Sequence, residues 1–565
     1  MPTITINGVS CTFTPGQMIL QVANAHGIEI PQYCYHDGLS IVASCRICLG
    51  ECWAPNPKTG KVEPYMGGKL LPTCQTAAVD GMVVYTDSPK AVQNQKAVME
   101  YLLINHPLDC PVCDQAGECL LQDYSYQYGR GVSRFEEVKV KQPKKDVGPH
   151  VLLYSDRCIM CSRCVRFTRE VTGTAELSVQ GRGNKAEIDV FPGKALDNEL
   201  SANVIDLCPV GALLDKDFLF AQRVWFLKST PSVDPLTASG DNIFIEHNEG
   251  RIYRVKPRTN LAVNKWWITD EVRYGWKFVH SEDRLRTPMR RQFGALVESD
   301  PARALAAAAE GVRGAIAGGR RLALVVSPML TCEDAFLLAR SALALDPKAV
   351  LAVGPVPTRG QDKHFPPTGP ADKQFKVWAE KAPNARGVRR VLEAVAGAKP
   401  LEYAALAAEL RGGRIGAIIL TGNYPAAWAD DALLAAVSRA NSSRPFTVQI
   451  DTLSSRLVDE ADVVLPSATW AEKAGTFQSG RDMLQSFEAA IAPPEHAAAE
   501  GQIALDLLRA AAAREGGSAT ETPAVFYAAA TRRQMAELPP LKDFATLAPP
   551  ATTATAAPAM EMVEL

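Results

Sequence analysis

Cysteine, the side chain best suited to binding iron or zinc through sulfur, is concentrated in three short runs of this sequence. Thirteen of the 14 cysteines lie between Cys11 and Cys208, and only Cys332 follows them. Disulfide frameworks are typical of small secreted domains, whereas clustered cysteines in a large chain more often bind metal. The runs therefore predict metal centres, and the spacing within each run indicates which kind.

The first run has the spacing C-x10-C-x2-C with a distant fourth cysteine, and it predicts a [2Fe–2S] cluster. Four thiolates complete the coordination of such a cluster. A four-thiolate zinc site usually draws on two C-x2-C pairs, and this run has one. The predicted ligands are Cys34, Cys45, Cys48 and Cys74. Cys11 and Cys52 lie outside the pattern and are predicted to be structural thiols.

The second run is HPLDCPVCDQAGEC at 106–119. Three thiolates leave a [4Fe–4S] cube one ligand short, and a neighbouring histidine is the candidate to complete it. A structural zinc site with three thiolates and one imidazole fits the same spacing. Cluster motifs on both sides of this run favour the [4Fe–4S] interpretation. The predicted ligands are His106, Cys110, Cys113 and Cys119.

The third run, C-x2-C-x2-C followed far downstream by Cys-Pro, is the bacterial ferredoxin pattern of a [4Fe–4S] cluster. The sequence has one such run, so the remote cysteine is predicted to close the same cluster. The predicted ligands are Cys158, Cys161, Cys164 and Cys208. Arg157, Arg163 and Arg166 stand beside these cysteines, where they either offset the negative charge of a cluster or are solvated.

Short elements surround the runs. Residues 3–6 and 9–13 alternate in polarity around Asn7-Gly8, which is the strongest short signal of a β-hairpin. A helix is predicted from Gln17 to His26, ended by the following glycine. Hairpin, helix and cysteine loop together predict a β-grasp module, and a second helix is predicted over 91–104.

The pattern of predicted helices and strands changes from about residue 300. An Ala-rich helix is predicted after Asp300-Pro301, and short apolar strands then alternate with helical segments. This alternation predicts a parallel α/β sheet. The predicted strands are Leu322–Val326, Val350–Val353, Ile415–Leu420, Phe446–Ile450 and Val463–Leu465.

Composition limits the function further. Lys+Arg count 60 and Asp+Glu 62, a balance that gives no sign of nucleic-acid binding. No run approaches the 18 consecutive apolar residues of a membrane span, and the first residues lack a secretory signal. We therefore expect the chain to stay in the compartment where it is made and to reach a membrane only through a partner.

The three motifs, in this order, resemble those of the large (75 kDa-type, G-type) iron–sulfur subunit of NADH:quinone oxidoreductase, respiratory complex I. The resemblance rests on the first run, on HPLDCPVCDQAGEC, and on SDRCIMCSRCVRF at 155–167 with CPVGAL at 208–213. It continues in NKWWITDEVRYG at 264–275 and LPSATWAEKAGTFQSGRDMLQ at 465–485, which are similar to a molybdopterin-oxidoreductase domain. It covers roughly residues 1–490.

This resemblance implies an electron-relay subunit of a proton-translocating oxidoreductase, with no catalytic residue, substrate site or flavin of its own. Electrons would come from a neighbouring flavoprotein subunit that oxidises NADH, and would pass towards subunits that reduce quinone. The [2Fe–2S] site would lie nearest the flavin. One [2Fe–2S] and two [4Fe–4S] clusters are expected, without molybdopterin. Other hydrophilic-arm subunits would hold the chain at the cytoplasmic side of the bacterial inner membrane or the mitochondrial matrix side.

The resemblance and the elements together divide the chain into six predicted segments of α+β and α/β fold. They are a [2Fe–2S] ferredoxin-like β-grasp domain (1–87), a [4Fe–4S] domain with one His and three Cys ligands (88–137), a [4Fe–4S] ferredoxin-like domain (138–218), a β-rich molybdopterin-oxidoreductase-type entry domain without cluster cysteines (219–275), a degenerate molybdopterin-oxidoreductase-like α/β domain (276–515), and a partly disordered tail (516–565).

Two departures and three alternatives accompany this interpretation. Some members of the family carry a further four-cysteine motif after the third cluster, which this chain lacks, and its C-terminal domain looks shorter than in many relatives. A formate-dehydrogenase-like molybdoenzyme would need a metal ligand, for which Cys332 is the candidate, although a core thiol at a helix start is the preferred interpretation. The electron-relay subunit of an NAD-linked hydrogenase resembles the first 220 residues or so. A structural zinc protein is the remaining alternative.

Overall fold

The computed structural model of the chain describes residues 1–512 and 523–550. The described chain forms two compact units. The first comprises Met1–Leu227 together with Phe365–Gln374, and the second comprises the rest. The units combine small mixed domains with a parallel α/β sheet, so the predicted fold class is confirmed.

The first unit begins with a five-strand path of hydrogen-bonded neighbours. Its elements are β1 (Thr3–Ile6), β2 (Val9–Thr12), α1 (Ile19–Ala25), β3 (Leu49–Pro55), β4 (Val62–Pro64), β5 (Leu71–Pro72) and β6 (Val83–Tyr85). The strand order is β2-β1-β6-β3-β4, with β5 beside β3, and β1 runs parallel to β6. Asn7 and Gly8 both have positive φ, as a type I′ hairpin turn requires, so the predicted hairpin is confirmed.

Helix α1 begins at Ile19 rather than at the predicted Gln17. Met18 is extended and forms a bridge with Ala77, a residue far along the chain. Its N–H donates to the side-chain oxygen of Gln21 (2.9 Å), which caps the helix. The long-range bridge therefore sets the start of the helix, and no local signal in the sequence reveals it.

The rest of the first unit carries short helices and small sheets. Its elements are α2 (Pro89–Leu103), α3 (Leu120–Tyr128), β7 (Lys144–Asp146), β8 (Val151–Tyr154), α4 (Arg163–Glu170), β9 (Leu177–Gln180), β10 (Glu187–Val190), α5 (Asn203–Leu207) and β11 (Leu213–Asp215). The sheet β11-β8-β7 and the hairpin β9-β10 flank the third cysteine run. Ser88 caps α2 by accepting from the N–H of Ala91, and this helix confirms the one predicted over 91–104.

The second unit opens with an antiparallel sheet and continues into the α/β domain. Its elements are β12 (Lys228–Val233), β13 (Asn242–Asn248), β14 (Arg251–Pro257), α6 (Asp270–Tyr274), β15 (Met289–Gln292), β16 (Ala295–Glu298), α7 (Pro301–Ile316), β17 (Arg321–Val326), α8 (Cys332–Leu345), β18 (Val350–Val353), β19 (Lys363–Phe365), β20 (Phe375–Val377), α9 (Ala385–Ala396), α10 (Tyr403–Arg411), β21 (Ile415–Thr421), α11 (Asp431–Val437), β22 (Phe446–Asp451), α12 (Arg456–Glu460), β23 (Val463–Pro466), β24 (Gly475–Gln478), β25 (Leu484–Phe487), α13 (Glu500–Ala512) and α14 (Ala528–Met535).

The predicted parallel sheet is confirmed. Its seven strands follow the order β16-β15-β23-β22-β21-β17-β18, and the five strands from β23 to β18 run parallel. Side chains alternate along β17: Leu322 and Leu324 join one apolar core, while Ala323 and Val325 join another. Helices α7, α8, α9 and α13 supply the first core, and α10, α11 and α12 supply the second.

The predicted tail over 516–565 lies partly outside the described residues, at 513–522 and 551–565. Between these gaps, α14 and a short 3-10 segment at Pro539–Thr546 pack on the larger core of the sheet. Met535, Leu541 and Phe544 are fully buried there. The other predicted domain boundaries stay predictions.

A buried ionic cluster joins the N-termini of α8 and α13. The Lys473 ammonium lies 2.9 Å from the Asp334 carboxylate and also contacts Glu500, and the three side chains are at most 3% exposed. Asp334 accepts from the N–H of Gly501, and Asn423 donates to Glu500 (both 2.8 Å). The lysine thus supplies the one cation shared by two carboxylates that water cannot reach.

We expect Lys473→Met to lower the free energy of unfolding by about 3–5 kcal/mol, because it leaves two buried carboxylates without a cation. The measurement is urea unfolding followed by tryptophan fluorescence, to which the second unit contributes Trp266, Trp267, Trp276, Trp378, Trp428 and Trp470.

The matched control is Arg414→Met, which breaks a pair with Glu409 at a guanidinium that is 67% exposed. This loss should stay below about 1 kcal/mol, as for other surface ion pairs. Equal losses for the two variants would contradict the proposed importance of the buried lysine.

Candidate metal centres

All twelve predicted ligands lie in the first unit. The first set comes from two loops: Cys34, Cys45 and Cys48 lie between α1 and β3, and Cys74 lies between β5 and β6. The Cys34 thiol forms hydrogen bonds with the thiols of Cys45 and Cys74, and the Cys48 thiol forms one with Cys74. Four sulfurs that are far apart in sequence therefore converge.

The contacts among these thiols shift their pKa values in opposite directions. Hydrogen bonds with Cys34 hold the pKa of the Cys45 and Cys74 thiols well above its usual range. Hydrogen bonds from Cys45 and Cys74 hold the pKa of the Cys34 thiol well below its usual range. A hydrogen bond from Cys74 lowers the pKa of the Cys48 thiol to about 7. Four sulfurs brought together in this way suit an iron–sulfur cluster by their donor chemistry.

The two cysteines outside the first set behave as structural thiols. Cys52 is buried in β3, and burial alone raises the pKa of its thiol to about 12. Cys11 is buried in β2, and burial raises the pKa of that thiol as well. Both side chains pack in the apolar core of the β-grasp sheet.

The second run forms a compact nest. Cys110 and Cys113 stand at the two ends of a 3-10 turn, and Cys119 caps the start of α3. The three thiols are electrostatic neighbours of one another. A methyl group added at Gly211 would lie 2.2 Å from the Cys113 sulfur, so this sulfur needs the space that a glycine leaves. The sequence contains this glycine in CPVGAL, but the spacing gives no hint of its contact.

His106 is a neutral imidazole in this structure. Burial and then the positive charges of Arg157 and Lys139 lower the pKa of its ring to about 4. Neutral imidazole is the form that binds metal. Arg157 also forms a salt bridge with Asp109 (2.8 Å), which holds the loop between His106 and Cys110. The strongest electrostatic neighbours of the ring are these charged groups, so its role as a ligand stays a prediction.

The third set lines one mainly apolar cavity. Its four cysteines share the lining with Leu153, Ile159, Ile188 and Val210. Met160 and Ser162 have positive φ, which wraps the run around the cavity, and the N–H of Met160 lies 3.4 Å from the Cys158 sulfur. Backbone N–H groups of three residues donate to the Cys208 thiol: Val210, Ala212 and Leu213.

Burial opposes ionisation at the third set, and neighbouring arginines favour it. Burial raises the pKa of the Cys158 thiol to about 12 and that of Cys161 to about 11. The charges of Arg163 and Arg166 act in the opposite direction on Cys161. Both arginines are 8% exposed, so of the two roles left open by the sequence, solvation is excluded.

Thiols of all three sets pack against one apolar cluster, which we call the central cluster. Its buried members include Tyr33, Ile47, Met99, Leu121, Tyr124, Val210 and Ala212. Cys119 is among them, and Cys45, Cys158, Cys161 and Cys208 pack against them. The structure thus places one cysteine of the first set, one of the second and three of the third against one apolar cluster.

None of the described helices is both long and apolar enough to cross a membrane. In residues 1–512 and 523–550, no group of three or more His, Cys, Asp or Glu side chains is placed to hold a metal ion. The fit of the three sets to clusters rests on their donor chemistry and on the apolar walls around their sulfurs.

Protein-family models match the chain in five places. They are described as a 2Fe-2S iron-sulfur cluster binding domain (1–89), an NADH-ubiquinone oxidoreductase-G iron-sulfur binding region (95–134), an NADH-quinone oxidoreductase subunit 3 ferredoxin-like domain (148–214), an NADH-ubiquinone oxidoreductase NDSU1/NuoG-like 4Fe-4S domain (227–277) and a molybdopterin oxidoreductase (373–510).

Curated relatives carry names of the same kind. The NADH-ubiquinone oxidoreductase 75 kDa subunit of Reclinomonas americana is 42% identical over 294 residues, which are 52% of this chain and 41% of that protein. The 78 kDa subunit of the same enzyme in Neurospora crassa is 42% identical over 293 residues, or 52% and 38%. An NADH-quinone oxidoreductase subunit of Rickettsia felis is 36% identical over 335 residues, or 59% and 48%. The resemblance to the large iron–sulfur subunit of NADH:quinone oxidoreductase is confirmed.

The matched stretches span less than half of the length of these relatives. The fourth family model describes a 4Fe-4S domain, yet residues 227–277 contain no cysteine. Among solved structures, an NAD+-reducing [NiFe]-hydrogenase in the H2-reduced state covers 40% of this chain and 91% of its own, at 29% identity. Its TM-score of 0.34 is too low to support a conclusion.

We expect His106→Cys to keep four irons at the second site but to change the EPR signal and potential of that centre alone, since thiolate adds a negative charge. His106→Ala should leave one iron open and the centre labile. Iron analysis and low-temperature EPR of the reconstituted chain measure both effects.

The control is His26→Ala, which removes an exposed histidine at the end of α1. It should alter neither iron content nor any signal. If His106→Ala behaved in the same way as this control, the histidine would not be a ligand.

Proposed function

We propose that this chain is an iron–sulfur electron-relay subunit of NADH:quinone oxidoreductase. The observation that carries the proposal is the central cluster, against which thiols of three separate ligand sets pack in one compact unit. Electron transfer between metal centres needs them close together and shielded from water. The names of the relatives and of the family models support the same assignment.

Within this proposal the chain holds one [2Fe–2S] and two [4Fe–4S] clusters. The [2Fe–2S] ligands are Cys34, Cys45, Cys48 and Cys74. The first [4Fe–4S] cluster takes His106, Cys110, Cys113 and Cys119, and the second takes Cys158, Cys161, Cys164 and Cys208. The clusters, when bound, supply one-electron chemistry, in which no bond of the protein forms or breaks.

The residues of the chain exclude water from the sulfurs, donate hydrogen bonds to them, and link two of the sites through a shared loop. Apolar side chains of the central cluster keep water from the sulfurs. Backbone N–H groups donate to sulfur at Cys158 and Cys208, which stabilises thiolate. The loop 209–211 lies beside both four-iron sites: Val210 lines the cavity of the third set, Pro209 accepts from the N–H of Leu120 (3.1 Å), and Gly211 faces the Cys113 sulfur. That shared loop favours electron exchange between these two sites.

The partners belong to the proposal as well. A flavoprotein subunit that oxidises NADH would deliver electrons, and other hydrophilic-arm subunits would carry them towards quinone. The chain would associate with the membrane peripherally through these subunits, on the cytoplasmic or matrix side, as part of a proton-translocating assembly.

We propose no substrate site, flavin or molybdopterin for the second unit. Cys332, the candidate metal ligand, starts α8 with its thiol fully buried. Its sulfur lies 3.5 Å from the side-chain oxygen of Asn384, and burial raises the pKa of the thiol. These contacts support a core thiol rather than a ligand open to substrate.

We expect the reconstituted chain to hold about ten iron atoms, because one two-iron and two four-iron clusters require that number. Metal analysis should find no stoichiometric zinc. Low-temperature EPR of the chain, reduced by NADH through its flavoprotein partner, should give three signals.

Formate is the control reductant. It should reduce none of the three centres, and mass spectrometry should find no pterin. A stoichiometric zinc ion in place of one cluster would overturn the ligand assignment, and a bound pterin with formate oxidation would overturn the relay function.

A further inference from the structure

Two arginines of α4 lie between the first and third ligand sets. Arg166 donates to the carbonyl oxygen of Cys34, a ligand of the first set, and lies 3.5 Å from the carbonyl oxygen of Cys161, a ligand of the third. It also donates to the carbonyl oxygen of Ser40. One guanidinium therefore touches the main chain of both ligand loops.

Arg163 bridges the same two loops from a neighbouring position. It donates to the carbonyl oxygen of Tyr35, the residue after Cys34, and to that of Leu207, the residue before Cys208, at 3.3 Å. We call Arg163 and Arg166 the arginine pair.

The arginine pair is buried without a carboxylate partner among the described residues. Each side chain belongs to a residue that is 8% exposed, and their acceptors are backbone carbonyls and the hydroxyl of Ser162. Arg157, by contrast, pairs with Asp109. A buried cation without a counter-ion is costly to fold, because carbonyl dipoles replace water only in part.

The missing counter-ions are the sulfurs of the two sites. The ionisable groups that act on Arg163 are Cys161 and Cys208 of the third set, its neighbour Arg166, and Cys34 of the first set. Four thiolates around an iron–sulfur core carry a net negative charge, and in a water-poor site such charges attract a cation strongly. Each guanidinium can offset charge at both centres, because each contacts both loops.

We propose that the arginine pair is a shared positioning element that holds the first and third centres together and raises the reduction potentials of both. This inference rests on the proposed function. Reduction adds an electron to a centre, and a fixed cation stabilises the reduced form more than the oxidised one. The second centre is served by Arg157 instead, so its potential does not depend on the pair.

The test uses the full reconstituted chain with its three centres. Arg166→Gln removes the positive charge and keeps an amide that can form hydrogen bonds. Arg166→Lys keeps the charge but loses the planar guanidinium that donates through two nitrogens. Arg169→Gln is the matched control, since Arg169 is an exposed residue of the same helix. EPR-monitored redox titration gives the potential of each centre, and iron analysis gives its occupancy.

Arg166→Gln should shift the potentials of the first and third centres downwards and leave the second unchanged. Arg166→Lys should keep both potentials close to those of the parent, with some loss of iron from the two sites because one bridge is gone. Arg169→Gln should change nothing. Arg163→Gln should reproduce the effect of Arg166→Gln.

Several outcomes would overturn the proposal. Unchanged potentials in both glutamine variants would show that the pair does not act on the centres. An equal shift at all three centres would show a general disturbance of the fold. If the glutamine variants failed to hold clusters, Arg166→Lys decides: restored clusters support the role of the charge, and an equally empty lysine variant refutes it. A parent chain without the first and third signals would refute the proposed function itself.

Discussion

Negative charge on sulfur, held away from water, is the constraint on which the first unit depends. Thiolates lose their hydration when they are buried, and the protein has to replace it with donors or cations. In the first set, hydrogen bonds among the thiols replace the lost hydration. In the third set, backbone N–H groups and arginines do so. The small sheets and short helices around them place these donors, which explains why so little of this unit is regular structure.

The second unit also buries charged side chains, and several of them pair with each other. Its parallel sheet is apolar on both faces, and some of the charges that the unit buries pair with opposite charges of the chain, as Lys473 does with Asp334 and Glu500. Arg284 and Glu472 form another buried pair (2.9 Å). A pair of opposite side chains is neutral by itself and needs no bound group. The arginine pair of the first unit, by contrast, has no carboxylate partner among the described residues.

The sequence predicted those features whose cause is local. Cysteine spacing identified the three runs, Asn7-Gly8 identified a hairpin, and apolar runs between helical segments identified the five parallel strands. The sequence did not predict the features that depend on contacts between residues far apart in the chain. The bridge from Met18 to Ala77 shortened α1, and the packing of Met535 extended the core of the sheet beyond residue 515. The burial of the arginines beside the third run was equally invisible, because it depends on the loop that carries Cys34.

The close approach of Gly211 to Cys113 has a consequence for biosynthesis. Within the run that contains Cys110, Cys113 and Cys119, the Cys113 sulfur is covered by Gly211, which the ribosome delivers much later than the run itself. A nascent chain that ends before Pro209 lacks the residue that covers the Cys113 sulfur. The second centre is therefore complete only on a chain that has emerged at least as far as the third, so maturation factors would meet the two sites together rather than one after the other.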